Sequence, residues 1–173
     1  MFIINPITKE EATGELKLLY RMIEKQLGFI PPHFAMMATI DIEAMKEFLN
    51  YNVAIMNHPK IDKGLMPFLR LYIARKECRR YCTTFNQELL AKQGIEQKII
   101  DGFQDDLDLI PFDKSQKLLL EKVFKAIYDS EAFNRMDLEA LYAQDFSDKD
   151  LFDILGYATG FMGKSKMIEA YLA

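Results

Sequence analysis

Leu65-Met66-Pro67-Phe68-Leu69-Arg70-Leu71-Tyr72-Ile73-Ala74-Arg75-Lys76-Glu77-Cys78-Arg79-Arg80-Tyr81-Cys82-Thr83-Thr84-Phe85-Asn86 is the stretch on which the reading of this chain turns. It holds both cysteines of the protein. Leu71, Ala74, Cys78, Cys82, Phe85 and Leu89 recur close to the helical period of about 3.6 residues. The spacing predicts one long helix, capped by Asp62 and ending at Gln93-Gly94, with both thiols on one face. Pro67 falls too deep for the first helical position of such a helix, so a bend or restart is expected there.

Working outward, the remaining segments also read as helices, and none shows the strict alternation of a half-buried strand. Towards the N-terminus, Thr8 reads as an N-cap followed by Glu10 and Glu11. Leu16, Leu19, Tyr20, Ile23 and Leu27 supply the apolar face, and Gly28 the stop. Pro32 opens a short helix through Thr39. Asp41 caps a helix with Ala44, Met45, Phe48, Leu49, Val53 and Met56 on its buried face, broken at His58-Pro59. On the other side, a short helix is expected over 95–103, then an acidic loop at Asp105-Asp106-Leu107-Asp108. A helix opens at 111–113 with Leu119, Val123, Ala126 and Ile127 on one face, and a short helix or turn spans 138–142. Ser147 caps the last helix, whose middle, 151–162, is apolar almost all round and predicts a central buried helix. Within it Gly156 and Gly160 lie one turn apart, and close approach of a second helix is preferred over a mere kink. Asp62-Lys63-Gly64-Leu65 and Asp148-Lys149-Asp150-Leu151 form a faint internal echo that suggests two similar helical halves.

The chain has 173 residues, 50% of them hydrophobic and 28% charged, which is the composition of one globular domain with a real core. A net charge of −4 leaves no basic excess to neutralise phosphates, so no nucleic-acid partner is expected. No run approaches the roughly 18 apolar residues of a membrane span. Met1-Phe2-Ile3-Ile4-Asn5-Pro6 has neither the basic region nor the apolar stretch of a secretory signal, so a cytoplasmic location is the expectation. Two cysteines in a reducing compartment are reactive, ligating or merely buried rather than a structural staple. There is no Gly-rich phosphate loop, no Gly-x-Ser-x-Gly elbow and no histidine pair at metal spacing in the sequence, so no cofactor and no metal is expected. His33 and His58 each neighbour a proline and read as loop or capping residues.

The chemistry-bearing candidates are therefore Cys78 and Cys82. A thiol acts as its thiolate and needs a cation or a helix N-terminus to lower its pKa. Arg75, Lys76, Arg79 and Arg80 crowd the cysteines, and on a helix Arg79 would neighbour Cys82. The competing interpretation makes the cations a solvated face and the thiols small buried hydrophobes. On an unbroken helix, Cβ atoms four residues apart are about 5–6 Å apart, too far for a disulfide without local unwinding.

Three segments together carry a resemblance: Leu27-Gly28-Phe29-Ile30-Pro31-Pro32-His33-Phe34, then Leu65 to Cys82, then Leu89-Leu90-Ala91-Lys92-Gln93-Gly94-Ile95. Over roughly residues 15–105 the chain resembles the alkylhydroperoxidase D-like (carboxymuconolactone decarboxylase) family, and the rest fits the outline of its two-part, peroxidase-related members. The resemblance implies an all-α, AhpD-like helical bundle with one domain over 1–173. It also implies a homo-oligomer (dimer, trimer or hexamer) with its site near subunit contacts. The peroxidase branch of the family reduces hydroperoxides with a Cys-x-x-Cys pair, assisted by a glutamate and histidine proton relay. Carried over, the peroxide-facing cysteine falls on Cys82, preceded by Tyr81. The first cysteine falls on Arg79, with Cys78 one residue earlier. The relay histidine falls on Asn86 and the relay glutamate on Pro67. The expected site is thus Cys82, Cys78, Arg79 and Asn86.

Three functions stay open. One is a peroxidase or disulfide reductase with an altered mechanism, in which Cys82 attacks, Arg79 stabilises the thiolate and Cys78 resolves. Another is a non-catalytic oligomer that binds a small apolar ligand near Met66, Tyr72 and Phe85. The last is a structural or partner-binding protein.

Overall fold

A computed structural model of the protein describes residues 2–173. Among the described residues there are nine α-helices: α1 (Gly14–Leu27), α2 (Pro32–Ile40), α3 (Ile42–Met56), α4 (Leu65–Lys76), α5 (Arg80–Lys92), α6 (Gln97–Gly102), α7 (Lys114–Tyr128), α8 (Arg135–Tyr142) and α9 (Asp148–Ala170). No β-strand occurs among them, only an isolated bridge between Phe2 and Leu172. The protein is all-α, as its sequence predicts.

The chain divides into two compact units, Met1–Val53 with Met167–Ala173, and Ala54–Lys166. In the first, α1 buries Leu19, Tyr20 and Ile23, the stripe read from the sequence. The helix begins at Gly14, however, not after Thr8. Thr8 and Glu11 do form the reciprocal bonds of a capping box, with the Thr8 amide on Glu11 Oε2 (3.0 Å) and the Glu11 amide on Thr8 Oγ1 (3.3 Å). That turn aborts because Gly14 adopts φ +53, a left-handed geometry that no helix can run through. At the other end Gly28 is the left-handed cap expected of it. Asp41 caps α3, its Oδ1 accepting from the amides of Glu43 and Ala44 at 3.0 Å each.

The second unit holds a continuous apolar cluster running from Ile55 to Ala158. Its centre is α4, where Leu65, Met66, Pro67, Phe68, Leu69, Leu71, Ile73 and Ala74 are all buried. Phe68 meets Phe103 and Phe112 edge-on at 5.2 and 5.9 Å, and Tyr72 stacks on Phe124 at 3.6 Å. Pro67 lies in the first turn of α4, where its missing amide hydrogen costs nothing, so no bend is required. Asp113 caps α7, and Asn134 with Asp137 forms a capping box on α8. The acidic loop is a 3₁₀ turn, Leu107–Leu109, capped by Asp106.

Three further expectations are corrected. The helix of the cysteines is not continuous, since α4 stops at Lys76 and α5 starts at Arg80. The most deeply buried helix is α4, and α9 exposes one side: Leu151, Ile154 and Ala158 are buried while Phe152 is 77% exposed. Gly160 also faces solvent, so no helix among the described residues closes on it.

Candidate functional site around Cys82 and Arg70

The break between α4 and α5 is a Schellman turn. The Arg79 amide donates to the Ala74 carbonyl (2.7 Å) and the Cys78 amide to the Arg75 carbonyl (3.1 Å). The left-handed position of that motif, usually a glycine, is occupied by Cys78 at φ +56. Cys78 is exposed there, and Cys82 is buried in the first turn of α5. The two thiols therefore do not share one helical face, and no disulfide joins them. The unwound turn also removes the fixed helical spacing that argued against a disulfide.

Arg79 is the residue that precedes α5, with ψ near 88, and not a helical neighbour of Cys82. Its guanidinium turns towards Glu77 (3.8 Å), and its Nε is buried without an acceptor. Arg75 donates to the Ile100 carbonyl (2.9 Å) and Gln104 (3.2 Å). The Lys76 ammonium lies 5.8 Å from the Tyr72 ring centre, and Arg80 is exposed. Arg75, Lys76 and Arg79 thus each have a partner other than a cysteine. Cys82 itself lies in the first turn of α5, the end of a helix dipole that attracts negative charge.

Asn86 sits one turn beyond Cys82 and is 1% exposed. Its Nδ2 donates to the Cys82 carbonyl (2.8 Å), and its Oδ1 accepts from Nε of Arg70 on α4 (2.8 Å). Nη1 of Arg70 donates to the hydroxyl of Tyr157 on α9 (2.6 Å). Three helices of the second unit are thereby joined through one guanidinium. Two members of this network, Arg70 and Tyr157, were not among the sequence candidates. The available signal was that Arg70 is the one charge inside the run 65–74. Of the proposed apolar lining, Met66 is buried in the core and Tyr72 is stacked on Phe124, so both pack the interior. Phe85 is half-buried and stacks on Tyr81.

His58 lies in the loop between α3 and α4, as expected, whereas His33 is helical. His33 is buried in the first turn of α2, edge-on to Phe34 at 4.5 Å. His58 accepts from the Lys60 amide at Nδ1 (3.2 Å) and sets Nε2 3.4 Å from both Asp150 and Asp153 at the start of α9. No group of three or more metal-ligating side chains occurs among the described residues.

No protein-family model and no curated protein matches the chain. Solved structures do. An uncharacterized peroxidase-related protein from Silicibacter sp. TM1040 superposes with a TM-score of 0.75 at 16% identity, covering 97% of this chain and 85% of that one. An uncharacterized peroxidase-related protein from Ralstonia eutropha JMP134, described as an alkylhydroperoxidase AhpD core, gives 0.76 at 19% identity, covering 96% and 88%. Identities this low speak for the fold: the chain has the all-α fold of the AhpD-like, peroxidase-related proteins.

Proposed function

We propose that this chain is a thiol-dependent reductase of hydroperoxides or disulfides acting through Cys82, by a mechanism altered from the Cys-x-x-Cys scheme. The observation that carries the reading is the placement of Cys82 in the first turn of α5, just past an unwound turn that presents Cys78 to solvent. The Cys82 thiolate attacks the terminal oxygen of the hydroperoxide. The O–O bond breaks, Cys82 becomes a sulfenic acid, and the alkoxide leaves as the alcohol after taking a proton from solvent. The Cys78 thiol then condenses with the sulfenic acid, giving a Cys78–Cys82 disulfide and water. An external dithiol restores both thiols by exchange. Asn86 hydrogen-bonds but cannot shuttle protons near neutral pH, so protons come from water rather than from a side-chain relay. Homo-oligomerisation belongs to this reading, and a monomer by light scattering at micromolar concentration would count against that part of it.

The test is intact-mass spectrometry after brief, near-stoichiometric peroxide. The expected result is loss of two hydrogens in the wild type, addition of one oxygen in Cys78→Ser, and no turnover by Cys82→Ala. An unchanged wild-type mass, while free cysteine in the same tube oxidises, overturns the proposal.

A second reading is favoured by the burial of Cys82, which is 4% exposed. In it the thiol is inert and the chain is a catalytically silent helical oligomer that binds a small apolar ligand or a protein partner. An inert thiol together with a thermal shift from an apolar ligand supports it.

A further inference from the structure

We propose that Arg70 is the anchor of a binding site for a small monocarboxylate. Binding at this site requires no thiol chemistry. Arg70 is a half-buried cation on the most deeply buried helix of the protein. Among the described residues no carboxylate lies within ion-pair distance of it: its two partners are the amide oxygen of Asn86 and the phenol oxygen of Tyr157, both neutral. The other half-buried arginines, Arg75 and Arg79, each face a carboxylate, Asp101 at 3.9 Å and Glu77 at 3.8 Å. A guanidinium drawn out of water without a counter-charge is costly, even in a chain whose acidic residues outnumber its basic ones.

The donor count points the same way. A guanidinium carries five N–H groups in a rigid fork. Arg70 uses one on Nε and one on Nη1. One on Nη1 and both on Nη2 have no partner among the described residues, and the side chain is only half-buried. The plane of the fork is held at both used positions by buried groups, Asn86 at 1% and Tyr157 at 3% exposure. An immobilised fork with adjacent free donors is what a planar carboxylate recognises in bidentate fashion. Arg70 itself brings one positive charge, which a single carboxylate matches.

Benzoate is the probe, with benzamide as its neutral counterpart. Titration calorimetry of the full chain at low salt should show benzoate binding that weakens as salt is raised, and none for benzamide. Arg70→Gln should weaken benzoate at least about tenfold, in line with loss of a charge-assisted bond. Arg70→Lys should recover only part of the affinity, since it restores charge without the fork. A wild-type measurement guards against misfolded variants: benzoate should shield Arg70 from phenylglyoxal, mapped by peptide mass spectrometry, while exposed Arg80 reacts as before. Absence of benzoate binding, equal binding of benzamide, unchanged affinity in a folded Arg70→Gln, or no shielding of Arg70 would each overturn the assignment.

Discussion

Cys78 occupies a backbone position that glycine fills more comfortably. Left-handed geometry costs a non-glycine residue about 1–2 kcal/mol, and the greater freedom of glycine in the unfolded chain returns about 0.5–1 kcal/mol of that. Cys78→Gly should therefore raise unfolding stability by about 0.5 kcal/mol on this balance, read from the denaturant midpoint. A lower midpoint would show that the thiol contributes more than its strained backbone costs. The location of Cys78 explains why its residue-level reading from sequence was incomplete. A left-handed helix stop is announced by glycine, as at Gly28 and Gly94, and here the signal was absent while the apolar stripe ran on undisturbed. Cys82 could be singled out from local spacing, and Asn86 only through the family resemblance. Arg70 could not be joined to them, because the bonds that do so span α4, α5 and α9.

At the scale of elements, helix starts were the most legible feature wherever a side chain caps them: Asp41, Asp113 and Ser147 all accept from amides in the first turn they precede. Helix continuity was the least legible, because backbone turns at 77–79 and at Gly14 override good helical periodicity. Asp137 shows how caps and packing cooperate. Its carboxylate closes the capping box with the Asn134 amide (3.0 Å) and meets Lys125 (2.7 Å) and Lys122 (3.0 Å) on α7. The Lys125 bond first, then the Asn134 amide, hold its pKa well below the usual carboxylate range. A carboxyl depressed in the folded state adds stability above its unfolded pKa of about 3.9, and that stability is lost as pH falls through the folded value. Asp137→Asn should thus be clearly less stable than wild type at pH 7, and the gap should narrow steadily once the pH drops below about 4. A gap that stays constant between pH 7 and pH 3 would mean that the neutral amide fails for reasons of packing and not of charge.

On the whole-molecule scale, the two units differ in what holds them. The apolar cluster that gathers Leu65, Phe68, Leu69, Leu71, Leu119, Leu120, Val123 and Ile154 lies wholly within Ala54–Lys166. In the other unit, Met36 and Met45 fill the interior with flexible side chains, and the segment before α1 is tied by single bonds, Ile7 to Thr39 (2.7 Å) and the Tyr20 hydroxyl to the Ile7 carbonyl (2.8 Å). Amide exchange opens by cooperative units, and the units with most buried apolar surface open last. The slowest-exchanging amides should accordingly be those of α4, α7 and the first half of α9, with α1 and α2 exchanging earlier. This ordering bears on the site, because Arg70, Asn86, Cys82 and Tyr157 all belong to the unit expected to open last. If α1 and α2 instead proved as protected as α4, the chain would open as one cooperative body. The Arg70 network would then owe its rigidity to the whole fold rather than to the apolar cluster beneath it.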